Sequence, residues 1–216
     1  MPELTEEEVN ARANEKAKKR KAAREKMLAD KTKEKGLLIV HTGKGKGKST
    51  AAFGLVFRAL GNGMKVGIVQ FVKGKWETGE RHALEKFGDQ VTIKAMGEGF
   101  TWDTQDRARD IAAAKGAWEM AKEMIDACRG EASSKEGRPY DMILLDELNI
   151  VLRYDYLPLE EVVAFLEGRP EMLHVIVTGR NAKEPLIEAA DLVTEMTQVK
   201  HPFREQGVKA QLGIEF

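Results

Sequence analysis

A single cysteine, Cys128, in 216 residues excludes an intrachain disulfide framework and any metal site built from several thiolates. Such scarcity fits a reducing compartment. No apolar run approaches the roughly 18–20 residues that span a bilayer. The opening Met1-Pro2-Glu3-Leu4-Thr5 leads into acidic residues without a signal peptide's apolar stretch, so a cytoplasmic protein is expected, with no membrane partner. Charge of either sign is not in excess: 35 Lys and Arg balance 35 Asp and Glu. No global field therefore argues for nucleic acid or an anionic membrane. Internal repeats and heptads are absent too. What is present is 42% hydrophobic and 32% charged, an ordinary globular composition. The length suits one domain with a sizeable core and a short appendage.

Residues 1–35 form a charged arm. Ala, Lys, Arg and Glu favour helix there, but the apolar stripe is thin, with Val9, Ala13, Met27 and Leu28 nearly all of it. Two readings stand: a solvated arm, or a helix that orders against a partner subunit or a ligand. At Gly36 the character changes. Leu37-Leu38-Ile39-Val40 is a short continuous apolar run, the mark of a strand buried on both faces. A Gly/Lys-rich turn follows, then helical spacing from Ser49 to Leu60. Strands are predicted at 66–72, 91–96, 142–145, 175–178 and 192–196, and helices at 80–87, 106–128, 159–166 and 186–190. The alternation implies βαβ units: an α/β fold, mostly parallel sheet with helices on both faces. Ligands in such sheets sit outside the carboxyl ends of the strands.

The strongest chemical signal is Thr42-Gly43-Lys44-Gly45-Lys46-Gly47-Lys48-Ser49-Thr50, between the first strand and the first helix. Glycines let backbone N–H groups approach phosphate oxygens, and the helix points its positive end at the same place. Gly43 to Thr50 thus read as the ATP-binding loop, with Lys48 reaching phosphate and the Ser49 hydroxyl on Mg²⁺. Compared with the common pattern G-x-x-x-x-G-K-[ST], this loop is one residue short. The second signal is Met142-Ile143-Leu144-Leu145-Asp146-Glu147. A buried strand ending in two carboxylates needs a cation or solvent to satisfy them. Beside a P-loop, Asp146 is the natural ligand or water-mediated partner of Mg²⁺ or Mn²⁺, and Glu147 a ligand or base. The third is Gly97-Glu98-Gly99-Phe100-Thr101-Trp102, whose aromatics either line an apolar ligand face or anchor their own loop. Arg58, nearly three helical turns beyond Lys48, reads on pattern as a surface arginine. His41, His82, His174 and His201 lack metal spacing and read as structural, and Cys128 reads as a filler.

Taken together, several of these motifs resemble the P-loop type of ATP:corrinoid adenosyltransferase, the cob(I)yrinic acid a,c-diamide/cobalamin adenosyltransferase family. The shortened loop resembles that family's own. So do Val69-Gln70-Phe71-Val72-Lys73-Gly74, Gly99-Phe100-Thr101-Trp102, Leu145-Asp146-Glu147-Leu148, Tyr154-Asp155-Tyr156-Leu157-Pro158 and Val177-Thr178-Gly179-Arg180. The tail, with Val199-Lys200-His201-Pro202-Phe203 and Gly207-Val208-Lys209-Ala210-Gln211-Leu212-Gly213, continues the match. Lys44 stands where the family commonly has Asn or Asp, and Ser49 where it commonly has Thr. The polar stretch from Gly130 to Pro139 looks like a small insertion.

The resemblance implies a P-loop NTPase-like, RecA-like domain over residues 36–216 that transfers the adenosyl group of ATP to the Co(I) of a corrinoid, releasing triphosphate. It implies that Lys48 and Glu147 serve catalysis, that Ser49, Asp146 and Glu147 serve the metal, and that Phe100 and Trp102 take the place of the corrinoid's lower axial ligand. Arg58 matches a family position near the active site. A homodimer, in which the N-terminal helix covers the partner's site, and a flavoprotein reductant such as flavodoxin are implied as well. Two rivals remain: a generic P-loop NTPase or small-molecule kinase, and a RecA-like nucleic-acid ATPase. The first predicts ADP as product, the second salt-sensitive binding to DNA or RNA.

Overall fold

The computed structural model describes residues 5–72, 79–95, 106–130 and 137–214. The chain divides into two compact units, Met1–Glu34 and Lys35–Phe216. The first holds one helix, α1 (Glu6–Ala29). Thr5 caps it: its hydroxyl accepts from Glu8 N–H, while the Glu8 carboxylate accepts from Thr5 N–H at 2.9 Å. Glu6, Glu7 and Glu8 complement the positive end of the helix dipole. None of its residues is buried, and Val9, Met27 and Leu28 are exposed. Capping, propensity and pairs such as Lys19–Glu15 (2.6 Å) sustain it, each pair contributing about a few tenths of a kcal/mol.

The second unit is built on a sheet. Among the described residues six strands form it: β1 (Leu38–Thr42), β2 (Val66–Gln70), β3 (Val91–Ala95), β4 (Met142–Asp146), β5 (His174–Thr178) and β6 (Leu192–Glu195). Their order is β3-β2-β4-β5-β1-β6, and every pairing is parallel. The helices are α2 (Lys48–Gly61), α3 (Gly79–Leu84), α4 (Arg107–Asp126), α5 (Leu148–Arg153), α6 (Leu159–Glu167), α7 (Glu184–Ala189) and α8 (Pro202–Gln206).

Alternation along each strand sorts the side chains to two cores. Ile39, Ile68, Leu144 and Ile176 face α2, meeting Ala52, Phe53, Val56 and Leu60. Leu38, Val40, Ile143, Leu145, Val175 and Val177 face the other way, against Ala114, Trp118 and Met124 of α4, Leu148 and Leu152 of α5, and Val162 and Leu166 of α6. The α/β fold with a parallel sheet covered on both faces is therefore the one expected. Two helices had escaped notice. The six residues of α5 form an apolar run too short to display a helical period, and α8 is a five-residue turn opened by Pro202. The helix expected over 80–87 ends at Leu84 and continues as a 3₁₀ helix, Glu85–Gln90, broken by Gly88 at φ 52°. Phe71 and Val72, expected in β2, stay buried but lie past its end.

His174, at the start of β5, has the structural role expected of it. Its Nδ1 accepts a hydrogen bond from Leu37 N–H at 3.1 Å, so the fold uses the neutral ring. Burial, then nearby Arg138 and, to a smaller extent, Arg169, push its pKa below the ordinary 6.5, with Asp141 opposing. The unfolded chain thus takes up a proton first, and stability is lost as pH falls through and below about 6.5. Thermal unfolding should show a falling midpoint between about pH 7.5 and about pH 5.5, and His174→Asn should flatten that slope. An unchanged slope in the variant would assign the dependence to other groups.

Candidate active site

The carboxyl ends of β2, β4 and β5 carry a row of polar residues. Gln70 is in register with Asp146, and Thr178 lies one residue past the Leu145–Val177 pair. Asp146 is fully buried, a placement that is costly for a carboxylate without donors. Its Oδ1 accepts from the hydroxyls of Thr178 (2.7 Å) and Ser49 (2.9 Å), and its Oδ2 from the Gln70 side-chain amide (3.3 Å). Three elements, α2, β2 and β5, thus converge on one side chain of β4. Because Ser49 lies in the first turn of α2, this cluster also fixes where the Gly-rich loop ends.

The loop itself is held from the other side by the chain just after β6. Gly45 N–H donates to Met196 O at 2.7 Å, and Met196 N–H donates to Thr42 O at 2.9 Å. A Cβ on Gly45 would lie 2.7 Å from Thr197 O, and one on Gly43 would strike the Met196 backbone. These two glycines are therefore needed for close approach of protein backbone. Gly47 precedes α2 in a left-handed conformation, and Lys48 follows it, 7% exposed. The Lys48 ammonium donates to Gly45 O. Burial disfavours that charge, Glu147 supports it, and Arg180 and Lys46 oppose it. Lys44, Lys46 and Thr50 are exposed along the same loop.

Glu147 occupies a left-handed conformation (φ 64°, ψ 20°), uncommon for a residue with a side chain. Its N–H donates to Thr178 Oγ1 at 2.9 Å, so Thr178 ties both acidic residues to β5. Gly179 (φ 127°) packs against this pair: a Cβ there would lie 2.8 Å from Asn149 Cβ and 3.1 Å from Glu147 Oε2. Asn149, buried, donates to Gly179 O at 3.0 Å.

The structure brings Gly43 to Thr50, Asp146 and Glu147 to one place. Arg58 it puts elsewhere, exposed in the last turn of α2 and about 15 Å along the helix from Lys48. Phe100 and Trp102 lie outside the described residues; the chain leading to them leaves the end of β3. A cavity of about 500 Å³ opens there, lined by Arg81, His82, Glu85, Ile93, Lys94 and Met120. It stands at the β3 edge of the sheet, with β2, β4 and β5 between it and β1 with the Gly-rich loop. The sequence by itself marks no role for Gln70, Thr178 or the Met196–Thr197 backbone. Thr178 is the polar end of an apolar strand, the signal that singled out Asp146. A backbone contact such as that of Met196 leaves no residue-type signal at all.

Residues 34–216 match the family described as ATP:corrinoid adenosyltransferase BtuR/CobO/CobP. The chain belongs to the ATP:corrinoid adenosyltransferases. This adenosyltransferase is 59% identical over 216 residues to the corrinoid adenosyltransferase of Sinorhizobium sp., covering 99% of this chain and 96% of that one. It is 49% identical to that of Pseudomonas aeruginosa, over 97% and 98% of the two chains. It is 50% identical to that of Escherichia coli K12, over 88% and 90%. Among solved structures, the flagellar accessory protein FlaH of Methanocaldococcus jannaschii is similar with a TM-score of 0.46 at 13% identity, over 75% of this chain and 71% of that one. No helix among the described residues of the adenosyltransferase is long and apolar enough to cross a membrane.

Thr178→Val keeps the side chain's shape but removes a donor from Asp146 and the acceptor of Glu147 N–H. A loss of about 2–3 kcal/mol in urea unfolding is expected, with Thr178→Ser within about 1 kcal/mol of wild type. Equal stability of the valine variant would mean that the Asp146 cluster does not hold the sheet ends together.

Proposed function

We propose that this adenosyltransferase joins the 5′ carbon of ATP to the cobalt of a Co(I) corrinoid and releases the triphosphate whole. The Co(I) electron pair forms the Co–C bond as the C5′–O bond breaks, and the leaving triphosphate takes that bond's pair. Cobalt is formally oxidised from Co(I) to Co(III). No side chain has to act as nucleophile. What the protein supplies is position and a cradle for the charge that develops on the leaving group.

The observation that carries this reading is the closure of the short loop by the Met196–Thr197 backbone. An ordinary P-loop aims its N–H groups at a phosphoryl group about to be transferred. Here Gly45 N–H is engaged by the chain after β6, within the tail that the family match includes. Such a loop suits holding a triphosphate that departs intact. Lys48, buried and next to Glu147, is the cation we assign to it.

The donors fit a hard divalent cation. Ser49 Oγ and the Asp146 carboxylate are 2.9 Å apart, Glu147 follows directly, and all are oxygen ligands. Among the described residues no three His, Cys, Asp or Glu side chains form a cage, so substrate phosphate and water would complete the shell. Ser49 and Glu147 would hold Mg²⁺ or Mn²⁺, with Asp146 acting directly or through water, and the ion would neutralise charge on the triphosphate.

Phe100 and Trp102 are assigned to the apolar face beneath the corrinoid, on the segment that follows β3. Arg58 is assigned to the corrinoid by resemblance, and its distance along α2 weighs against contact with the phosphates. A homodimer suits both α1, which has no buried residue, and the tail, where Val199, Phe203, Leu212 and Ile214 are 65–87% exposed. The reductant is assigned as a flavoprotein such as flavodoxin, in the cytoplasm.

The test is anaerobic turnover with ATP, Mg²⁺ and chemically reduced cob(I)alamin. Loss of Co(I) absorbance should accompany a light-sensitive alkylcobalamin and inorganic triphosphate in equal amounts. Lys48→Ala should lower kcat/KM by about 10²–10³-fold, as loss of a preorganised charge donor does elsewhere. ADP and phosphate with the corrinoid untouched would replace this reading with that of a generic NTPase.

A further inference from the structure

The turn after β5 is fastened to both halves of the site. Thr178 binds Asp146 and Glu147, and Asn149 holds Gly179 O. Ala182 N–H donates to Thr42 Oγ1 at 2.9 Å, at the mouth of the Gly-rich loop. Between these anchors Gly179 and Asn181 both have positive φ, 127° and 55°. A non-glycine residue in that region is strained and persists where its surroundings over-determine it. Arg180 sits in the middle of this rigid turn. Its side chain is exposed, and among the described residues it makes no hydrogen bond or ion pair. It lies near enough to Lys48 to oppose that residue's charge. A turn this constrained holds an arginine one residue from Gly179, which packs against Glu147 (a Cβ there would lie 3.1 Å from Glu147 Oε2), and no hydrogen bond or ion pair among the described residues engages it.

We propose that Arg180 is a catalytic residue that grips the triphosphate of ATP opposite Lys48 and stabilises it as it leaves. The inference rests on the reading of triphosphate as leaving group. A guanidinium presents paired N–H donors that match two phosphate oxygens, where an ammonium acts as a point charge. Two cations converging from β1 and β5 repel each other until a polyanion lies between them. The same pairing favours a triphosphate over a shorter anion, because only the longer one reaches both.

The test compares wild type, Arg180→Ala and Arg180→Lys by calorimetric titration with Mg²⁺ and inorganic tripolyphosphate, and with adenosine as the probe lacking phosphate. Arg180→Ala should weaken tripolyphosphate by about tenfold or more and leave adenosine within about twofold. Arg180→Lys should recover part of the loss. In anaerobic turnover the alanine variant should lose kcat while KM for the corrinoid holds. An unchanged thermal midpoint, expected for an exposed residue, shows that the fold is intact. Tripolyphosphate binding by Arg180→Ala within about twofold of wild type overturns the proposal, as does wild type that binds no tripolyphosphate. Wild type that binds tripolyphosphate but never alkylates cobalt removes the proposed reaction, while the binding comparison still decides the role of Arg180.

Discussion

The carboxylate of Asp146 is the group on which the rest of the site depends. It is fully buried, and a charge there is tolerated because Thr178, Ser49 and Gln70 donate to it from β5, α2 and β2. Hydrogen bonds to a charged acceptor are worth about 1.5–3 kcal/mol each, and losing one leaves a buried charge short of partners. The cluster therefore sets the level at which three strands end, and it fixes the first turn of α2 against them. Lys48 and Glu147, neighbours of Ser49 and Asp146 in sequence, inherit their positions from it. Cooperation between the two halves of the site begins at this one side chain.

A second constraint acts from the opposite side. The chain leaving β6 lies against the Gly-rich loop, with Gly45 donating to Met196 and no room for side chains at Gly43 or Gly45. The loop is thus caught between the Asp146 cluster and a tail distant in sequence. Its missing residue is consistent with this: a longer loop would have to bulge into the space that Met196 and Thr197 occupy. Loop and tail thus form one packed unit, both within the matched residues 34–216.

These facts divide cleanly by how they are encoded. Strands buried on both faces are written as continuous apolar runs, so Leu38–Val40, Met142–Leu145 and Val175–Val177 were legible, and with them the parallel sheet. Lys48, Ser49 and Asp146 were legible because polar residues at the ends of such runs stand out. Thr178 has the same signature and was left without a role, since a hydroxyl suggests chemistry less readily than a carboxylate. The helix α5 was hidden because six apolar residues do not display a period. The contact of Met196 with Gly45 was hidden for a deeper reason: both partners are backbone, and residue type says nothing about them. Arg58 carries no such signal: resemblance alone attaches it to the corrinoid, and helix geometry sets it about 15 Å along α2 from Lys48.

The electrostatics of the site run against those of the whole chain. Overall charge is balanced, 35 against 35, so nothing draws a polyanion to the molecule at large. At the ends of β1 and β5, however, Lys44, Lys46, Lys48 and Arg180 gather within a few residues of two strand termini. Asp146 and Glu147 are the local counter-charges, and Asp146 is already engaged by hydroxyl and amide donors. A local excess of cations beside a low-dielectric wall attracts a polyphosphate far more effectively than the same charges spread over a surface. For a reaction in which the triphosphate leaves intact, that excess would do two things: bind the nucleotide in the ground state, and answer the charge that grows as the C5′–O bond breaks. Only the second raises the rate, so the residues that matter most are those whose contact tightens as the bond lengthens. For the buried lysine such tightening would exchange the Gly45 carbonyl for a phosphate oxygen, and Arg180 would bring its charge from a turn whose backbone is already fixed.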